Sequence, residues 1–288
     1  MKIGGPAEMF VEVATDRALV ELLRIVHEEE APLQLLGLGS NVLVPDEGID
    51  GVVVRLTGGF RNVRVHGDQV TAGAAVPMGQ LARRTASLGL SGLEALSGFP
   101  STVGGAVFMN AGSYGSEICD LLLRATVLGT NGQRRKVSSG ELEPAYRATN
   151  LSGSGEIVVR ATLQLEPGDP QTSLGRIDEL NRRRWKALPS GLPNAGSIFR
   201  NPEGDFAGRL IESVSLKGEQ LGGARISEKH ANVIVNAGGA SATDVLDLML
   251  LAYRKVQDEF SIRLEPEVIL AGVLRKRWNE AIASDFCH

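Results

Sequence analysis

The sequence predicts an α+β protein built from more than one packed unit. Three observations carry that expectation: the 288 residues are about twice a typical domain, segments with apolar residues at helical spacing are interleaved with short β-branched runs, and no fixed-period repeat points to a solenoid. Composition fits a chain with a real core. Hydrophobic residues make up 43% and charged residues 22%, unlike the highly charged, apolar-poor make-up of disordered chains.

Each element has a local cause. Thr15 and Asp16 supply capping oxygens ahead of Leu19, Leu22, Leu23 and Val26, a spacing that predicts a helix stopped by Pro32. The apolar runs 33–36 and 52–54 read as buried strands on either side of a glycine loop. Residues 63–65 and 69–72 suggest a hairpin around Gly67-Asp68, and Pro77 opens a second helix with Met78, Leu81, Ala82 and Leu88 on one face. A glycine-rich loop is expected from Gly92 to Gly115. Asn131-Gly132, between runs 122–128 and 133–137, is a two-residue hairpin signal, and 157–165 reads as another strand. Glu166-Pro167-Gly168-Asp169-Pro170 can continue neither helix nor central strand and is read as a linker. Beyond it come a basic helix ending near Ala187, a Pro/Gly loop over 189–202, and a strand at 233–235. A long helix then opens near Thr243 and buries Val245, Leu246, Met249, Ala252, Tyr253, Val256 and Phe260, before a strand-like run over 262–270.

Several function classes are disfavoured. A net charge of −4, with no basic run longer than Arg182-Arg183-Arg184, argues against a phosphate-tracking nucleic-acid face. No long uncharged apolar span or signal-peptide pattern is present, so no membrane role is expected and an intracellular, cytoplasmic location is. Cys119 and Cys287 are too few for a disulfide framework, and His27, His66, His230 and His288 show no metal-ligand spacing, so no metal is expected. The 35 glycines stand above the average usage of about 7%. Their clustering points to loops where backbone approaches a ligand closely.

Gly37-Leu38-Gly39-Ser40-Asn41 follows a strand, but Val42 stands at the third glycine position and 42–45 opens no helix, so a dinucleotide fingerprint fails. A concave nest of N–H donors for an anion remains open, with a plain tight turn as the first reading of this pentapeptide alone. The stretch Ser97 to Gly112 surrounds a Gly-Gly pair with small, hydroxyl and amide residues. That mixture suits backbone N–H groups meeting phosphate while side chains line a flat ring.

Six segments taken together resemble the UDP-N-acetylenolpyruvoylglucosamine reductase (MurB) family over nearly the whole chain: 37–43, 97–115, Tyr146-Arg147-Ala148-Thr149, 194–202, 227–232 and 264–268. The resemblance implies a two-subdomain FAD-binding fold of the vanillyl-alcohol-oxidase (PCMH) type, over 1–55 and 56–168, followed by an α+β substrate-binding domain over 169–288. It implies non-covalent FAD, since neither glycine block contains a His or Cys, NADPH as hydride donor, and UDP-N-acetylglucosamine enolpyruvate as substrate. A monomer is expected. The implied cofactor residues are Gly37, Gly39, Ser40, Asn41, Val42, Ser97, Gly98, Pro100, Thr102, Gly104, Gly105, Ala106, Asn110, Ala111 and Gly112. The implied catalytic residues are Arg147, to face the substrate carboxylate, Ser197, to donate a proton, and Glu267, with Glu265 two residues earlier as the bystander. Tyr146, Arg200, Asn201, Lys217, Arg225 and His230 are the candidate substrate contacts, Asn201 at the diphosphate. Phe99, Ser101 and Thr149 depart from the family's usual residues. The inserted tyrosine-bearing segment of one branch is absent after Arg147, so the sequence is similar to the shorter branch. Residues 3–8 resemble the family's early strand but lack its usual lead-in, so an edge strand of the first subdomain is expected to be missing or misassigned. A related FAD oxidase of another alcohol or sugar, or a nucleotide-sugar binder without flavin, are the alternatives.

Overall fold

The computed structural model of the chain describes residues 1–189 and 191–284. It separates into two compact units: a larger one of Met9–Leu38 and Gly51–Arg184, and a smaller one of Met1–Glu8, Gly39–Asp50 and Trp185 onward.

The larger unit contains an antiparallel five-stranded sheet in the order 134–138, 122–128, 157–164, 69–73, 63–66. Both predicted hairpins are in it, although the second turns over 129–133 between Leu128 and Arg134 and is not the two-residue turn expected. Gly67 supplies the positive φ (+58°) of the first turn and Gly132 (φ +75°) that of the second. The central strand Ile157–Gln164 is buried at six of its eight positions, as expected of a strand covered on both faces. A three-stranded sheet orders Ala7–Val13, Ile49–Leu56 and Leu33–Leu35, with Leu33 beside Val52 in parallel register. The edge strand expected to be missing or misassigned is present, and it runs over Ala7–Val13 and not over 3–8. The helix Asp16–Glu28 is capped by Thr15 Oγ1, which accepts the Ala18 N–H at 3.2 Å, and turns Leu19, Leu23 and Val26 into the core. Met78–Ser87 buries Met78, Leu81, Ala82, Thr85 and Ala86. Leu88 does not share that face: it follows the last helical turn and is 57% exposed.

Two further expectations are corrected here. The stretch 92–115 is not all loop, because Val103–Phe108 forms a six-residue helix capped by Thr102. The linker is not where the compact units part: Glu166–Pro167 pairs with Leu90–Ser91, and Pro170, with φ already suited to a first helical turn, opens the helix Pro170–Ala187. The units thus fall differently from boundaries at 55 and 168, because long-range pairing rather than local composition decides which segments cluster.

The smaller unit is built around Ala242–Phe260. Ser241 and Asp244 form a reciprocal capping box at its start, and Asp46 accepts the N–H groups of Ala242 (2.7 Å) and Thr243 (3.1 Å). Against it lie Ala207–Ser213, the helix Val273–Ser284, and a three-stranded sheet of Gln220–Leu221, Ala224–Ile226 and Ile234–Asn236. Trp278 packs on Phe199 and edge-on to Tyr253. Within the predicted strand 262–270, Ile269–Leu270 pairs in parallel with Val42–Leu43, and Pro266 forms an isolated antiparallel bridge with Phe199. Pro266 has no N–H to donate, and its neighbours make the bridge's hydrogen bonds: Glu267 N–H to Ile198 O and Arg200 N–H to Glu265 O. No helix among the described residues is long and apolar enough to cross a membrane.

Candidate active site

Within the larger unit, Gly37 of the first predicted cofactor block lies against Thr102 of the second. A Cβ on Gly37 would stand 3.2 Å from Thr102 Oγ1, so the absence of a side chain lets that loop lie close against the second block. The N–H groups of Gly37 and Leu38, and next along the chain Gly39, donate to no described residue, and neither do those of Gly98, Phe99, Ser101 and Thr102. Such clustered, unsatisfied amides suit an anion such as a diphosphate. FAD therefore fits these residues. No helix follows Gly37–Asn41, in line with the rejected dinucleotide fingerprint.

The Gly-Gly pair works differently from the expectation that its amides meet phosphate. Val103 and Gly104 N–H donate to the carbonyls of Val76 (2.8 Å) and Ala74 (2.9 Å), and Gly105 N–H donates to Thr102 Oγ1 (3.2 Å). Gly104 is a packing glycine, since its Cβ would come within 2.8 Å of the Ala74 Cβ. Ala106 is fully buried, Ala111 N–H returns to its carbonyl, and Ser97 Oγ donates to Glu94 O. Pro100 is exposed at the mouth of the block. Asn110, also assigned to the cofactor, is fully buried and bonds instead to Glu117, Ala145 and Cys119.

Arg147 occupies the third position of the turn Ala145–Ala148, at φ +57°, with its guanidinium 4.8 Å from the centroid of the half-exposed Tyr146 ring. Thr149 Oγ1 donates to Phe108 O at 2.7 Å and fixes the turn's far end. That bond needs only a hydroxyl, which serine and threonine share, so the Thr149 departure is conservative.

The smaller unit brings Ser197 and Glu267 onto adjoining segments. Asn194 Oδ1 accepts the Gly196 N–H (3.0 Å), and Gly196 turns at φ +73° into Ser197-Ile198-Phe199-Arg200. That segment is gripped on one side by Asn232, whose carbonyl accepts Ile198 N–H and whose side chain both accepts Phe199 N–H (3.0 Å) and donates to Phe199 O (2.8 Å). On the other side Glu267 N–H donates to Ile198 O at 2.7 Å, and Arg200 N–H to Glu265 O. The Ser197 hydroxyl is half-exposed and bonds to no described residue. Asn41 Nδ2 donates to Glu267 O (3.1 Å) and Asn41 O accepts Ile269 N–H, so the segment containing Gly39, Ser40, Asn41 and Val42 is stitched directly to the glutamate's. Glu265 is largely exposed and lies 3.9 Å from Arg200.

The candidate substrate contacts of this unit have mixed surroundings. Asn201 Oδ1 caps Ala207–Ser213 through Ala207 N–H, leaving its amide as the available donor. Lys217 is paired with Glu212 at 2.6 Å. Arg225 lies in the middle strand and forms no ion pair among the described residues. His230 Nδ1 accepts Asn232 N–H (3.3 Å), which places its hydrogen on Nε2. Cys119 is buried and its thiol is pushed up to about 11 by that burial, a poor nucleophile at neutral pH. Cys287 and His288 lie outside the described residues; among those described, no cluster of three or more His, Cys, Asp or Glu could hold a metal. Sequence reasoning missed Glu117 and the grip of Asn232. The pattern Glu117-x-x-Asp120 is a capping box whose first residue is acidic, a variant of the usual Ser/Thr signal.

Comparison with known proteins agrees with this layout. Residues 7–138 match an FAD binding domain family, and residues 188–271 match the C-terminal domain of UDP-N-acetylenolpyruvoylglucosamine reductase. The chain is 45% identical over 272 residues to UDP-N-acetylenolpyruvoylglucosamine reductase 2 of Symbiobacterium thermophilum, covering 94% of this chain and 88% of that protein. It is 40% identical over 273 residues to the reductase of Bacillus subtilis, covering 94% and 90%. The crystal structure of the Thermus caldophilus reductase superposes with a TM-score of 0.79 at 40% identity, over 91% of this chain and 92% of that one.

Proposed function

This chain belongs to the UDP-N-acetylenolpyruvoylglucosamine reductase (MurB) family, and we propose that its reaction is carried by Arg147, Ser197 and Glu267. It is an FAD-containing oxidoreductase with the family's α+β FAD-binding fold of the vanillyl-alcohol-oxidase type, and it reduces UDP-N-acetylglucosamine enolpyruvate in peptidoglycan precursor synthesis. NADPH is the proposed electron source and the cytoplasm the proposed location.

Bound FAD supplies the hydride carrier between donor and substrate; the rest falls to side chains. Reduction of the enolpyruvyl double bond delivers hydride to the methylene carbon and leaves negative charge on the carboxylate side. Arg147 faces that carboxylate with paired donors and stabilises the developing enolate. Ser197 passes its hydroxyl proton to the carbon beside the carboxylate, acting in concert because a free serine is a very weak acid. Glu267 supports the same charge rearrangement from its half-buried position. The Gly37 and Leu38 amides and those of Gly98, Phe99, Ser101 and Thr102 take the FAD diphosphate, and Gly39, Ser40, Asn41 and Val42 are assigned to the same cofactor. Tyr146, Arg200, Arg225, His230, Lys217 and the Asn201 amide serve the nucleotide sugar, Lys217 only after giving up Glu212.

The observation that carries the catalytic assignment is the Ser197 hydroxyl itself: half-exposed, bonded to no described residue, and held on a doubly gripped segment beside Glu267. Stopped-flow half-reactions of Ser197→Ala test it. Reduction by NADPH should stay near the parent rate while oxidation by the enolpyruvyl substrate is crippled. Equal slowing of both would make Ser197 a structural residue.

A further inference from the structure

The larger unit surrounds Arg147 with contacts that the chemistry of reduction does not by itself require. Arg147 adopts left-handed backbone, which residues other than Gly and Asn enter rarely and keep only when the surroundings hold them. Its turn closes through Ala145 N–H to Ala148 O (3.0 Å) and Ala148 N–H to Ala145 O (3.1 Å). The same Ala145 carbonyl also accepts Asn110 Nδ2 at 3.1 Å. Asn110 is fully buried, itself left-handed at φ +44°, and its amide is spent on three partners: Ala145 O, Glu117 Oε2 at 2.5 Å, and the N–H of Cys119 at 3.3 Å. Glu117 pairs with Gly112 across a two-residue hairpin. A Cβ on Gly112 would stand 2.8 Å from Glu117 Cγ and 3.2 Å from Arg147 Nη1, so carboxylate chain and guanidinium converge where position 112 has no side chain.

We infer that Glu117 and Asn110 are positioning residues for Arg147. The Asn110 amide holds both the first carbonyl of the arginine's turn and the Glu117 carboxylate. The Glu117 side chain and the guanidinium both border the space over Gly112, and Glu117 biases the direction of the planar fork through its charge there. On this account Asn110 and Gly112 serve the arginine and not the cofactor. The inference rests on the reading that Arg147 grips the enolpyruvyl carboxylate.

The test uses FAD-loaded full-length protein. Glu117→Gln keeps an acceptor for Asn110 and removes the charge. Asn110→Asp keeps the Cys119 acceptor and the left-handed preference but loses both donations. Flavin absorbance and melting temperature should match the parent for Glu117→Gln. Its oxidative half-reaction should slow about tenfold while the NADPH half-reaction stays within twofold. By calorimetry on the oxidised enzyme, affinity for UDP-N-acetylglucosamine enolpyruvate should fall at least fivefold, with affinity for UDP-N-acetylglucosamine, which lacks the carboxylate, unchanged. In an Arg147→Lys background the same substitution should cost less than a further twofold. A parent-like oxidative rate for Glu117→Gln, or the full tenfold loss repeated in the Arg147→Lys background, overturns the inference and leaves the role of Arg147 standing. A parent-like Arg147→Lys removes both readings. If Asn110→Asp does not fold, Glu117→Gln decides alone.

Discussion

Asn232→Ala is the substitution whose cost can be worked most directly from the structure. Asn232 is 3% exposed, and its side chain makes two hydrogen bonds to a single buried residue, Phe199, at 2.8 and 3.0 Å. Truncation leaves the Phe199 N–H and one of its carbonyl's partners unreplaced away from water. Stranded groups of this kind cost about 1–3 kcal/mol each, so the loss should be about 2–5 kcal/mol. The unit carries its own reporter: Trp278 is buried 6.0 Å from the Phe199 ring, whereas Trp185 is exposed and already wet. Tryptophan emission followed through a urea titration should therefore red-shift as this core opens. With a slope of roughly 2 kcal/mol per molar urea, the midpoint should fall by about 1–2 M. The oxidative half-reaction should also slow at low urea, because Ser197 precedes the segment that Asn232 grips. A midpoint shift below about 0.3 M would mean that Phe199 finds other partners and that the Asn232 grip is dispensable.

Three other outcomes follow. Arg147→Lys and Glu267→Gln should each depress the oxidative half-reaction, and the double variant should lose less than the product of the two, since groups that stabilise one charge fail together; strictly multiplicative losses would separate their roles. Flavin should pass a small-pore filter after acid denaturation, because no His or Cys lies in either glycine block; flavin retained with the polypeptide would refute non-covalent binding. The Asp244 carboxyl is held below its usual range, chiefly by the Ser241 N–H and then by that of Gly223. Its contribution is present above the unfolded value of about 3.9 and is lost as pH falls through the lowered folded value. Asp244→Ala should be destabilised by about 1 kcal/mol at pH 7, and the gap to the parent should narrow as pH falls below the unfolded value; a gap that widens on acidification contradicts the cap.

What was legible in the sequence was what local chemistry decides. Gly67-Asp68 and Asn131-Gly132 marked their hairpins because each pair holds a glycine, Gly67 or Gly132, that takes the positive φ of the turn at no steric cost. The helix Ala242–Phe260 was readable because its apolar spacing runs over five turns. Val103–Phe108 was not, since two glycines in six residues argue against a helix and its first amides are satisfied by Ala74 and Val76 from a separate segment. Residues 39–50 cluster with the smaller unit through Val42–Ile269 pairing, a register that no local window contains. The site followed the same division. The glycine blocks and the arginine, serine and glutamate segments could be singled out as strings, whereas Glu117 acquires its meaning only through Asn110 and Gly112.

The supports of the two proposed catalytic segments share one physical solution. Asn110 accepts one backbone N–H and donates to one backbone carbonyl, and Asn232 does both to the same residue. A carboxamide is the side chain that presents a donor and an acceptor in the geometry of a peptide group, so it can substitute for a missing strand neighbour where no regular ladder runs. Aspartate at either position would lose the donor and bury a charge. Glutamine would add a rotatable bond to be frozen. Because asparagine does not titrate, the backbone carrying Ser197 and Arg147 keeps one geometry while substrate charge changes through the reaction. The pH dependence of turnover is then left to groups that touch the substrate, and a variant that makes either support ionisable should import a new inflection into the rate profile.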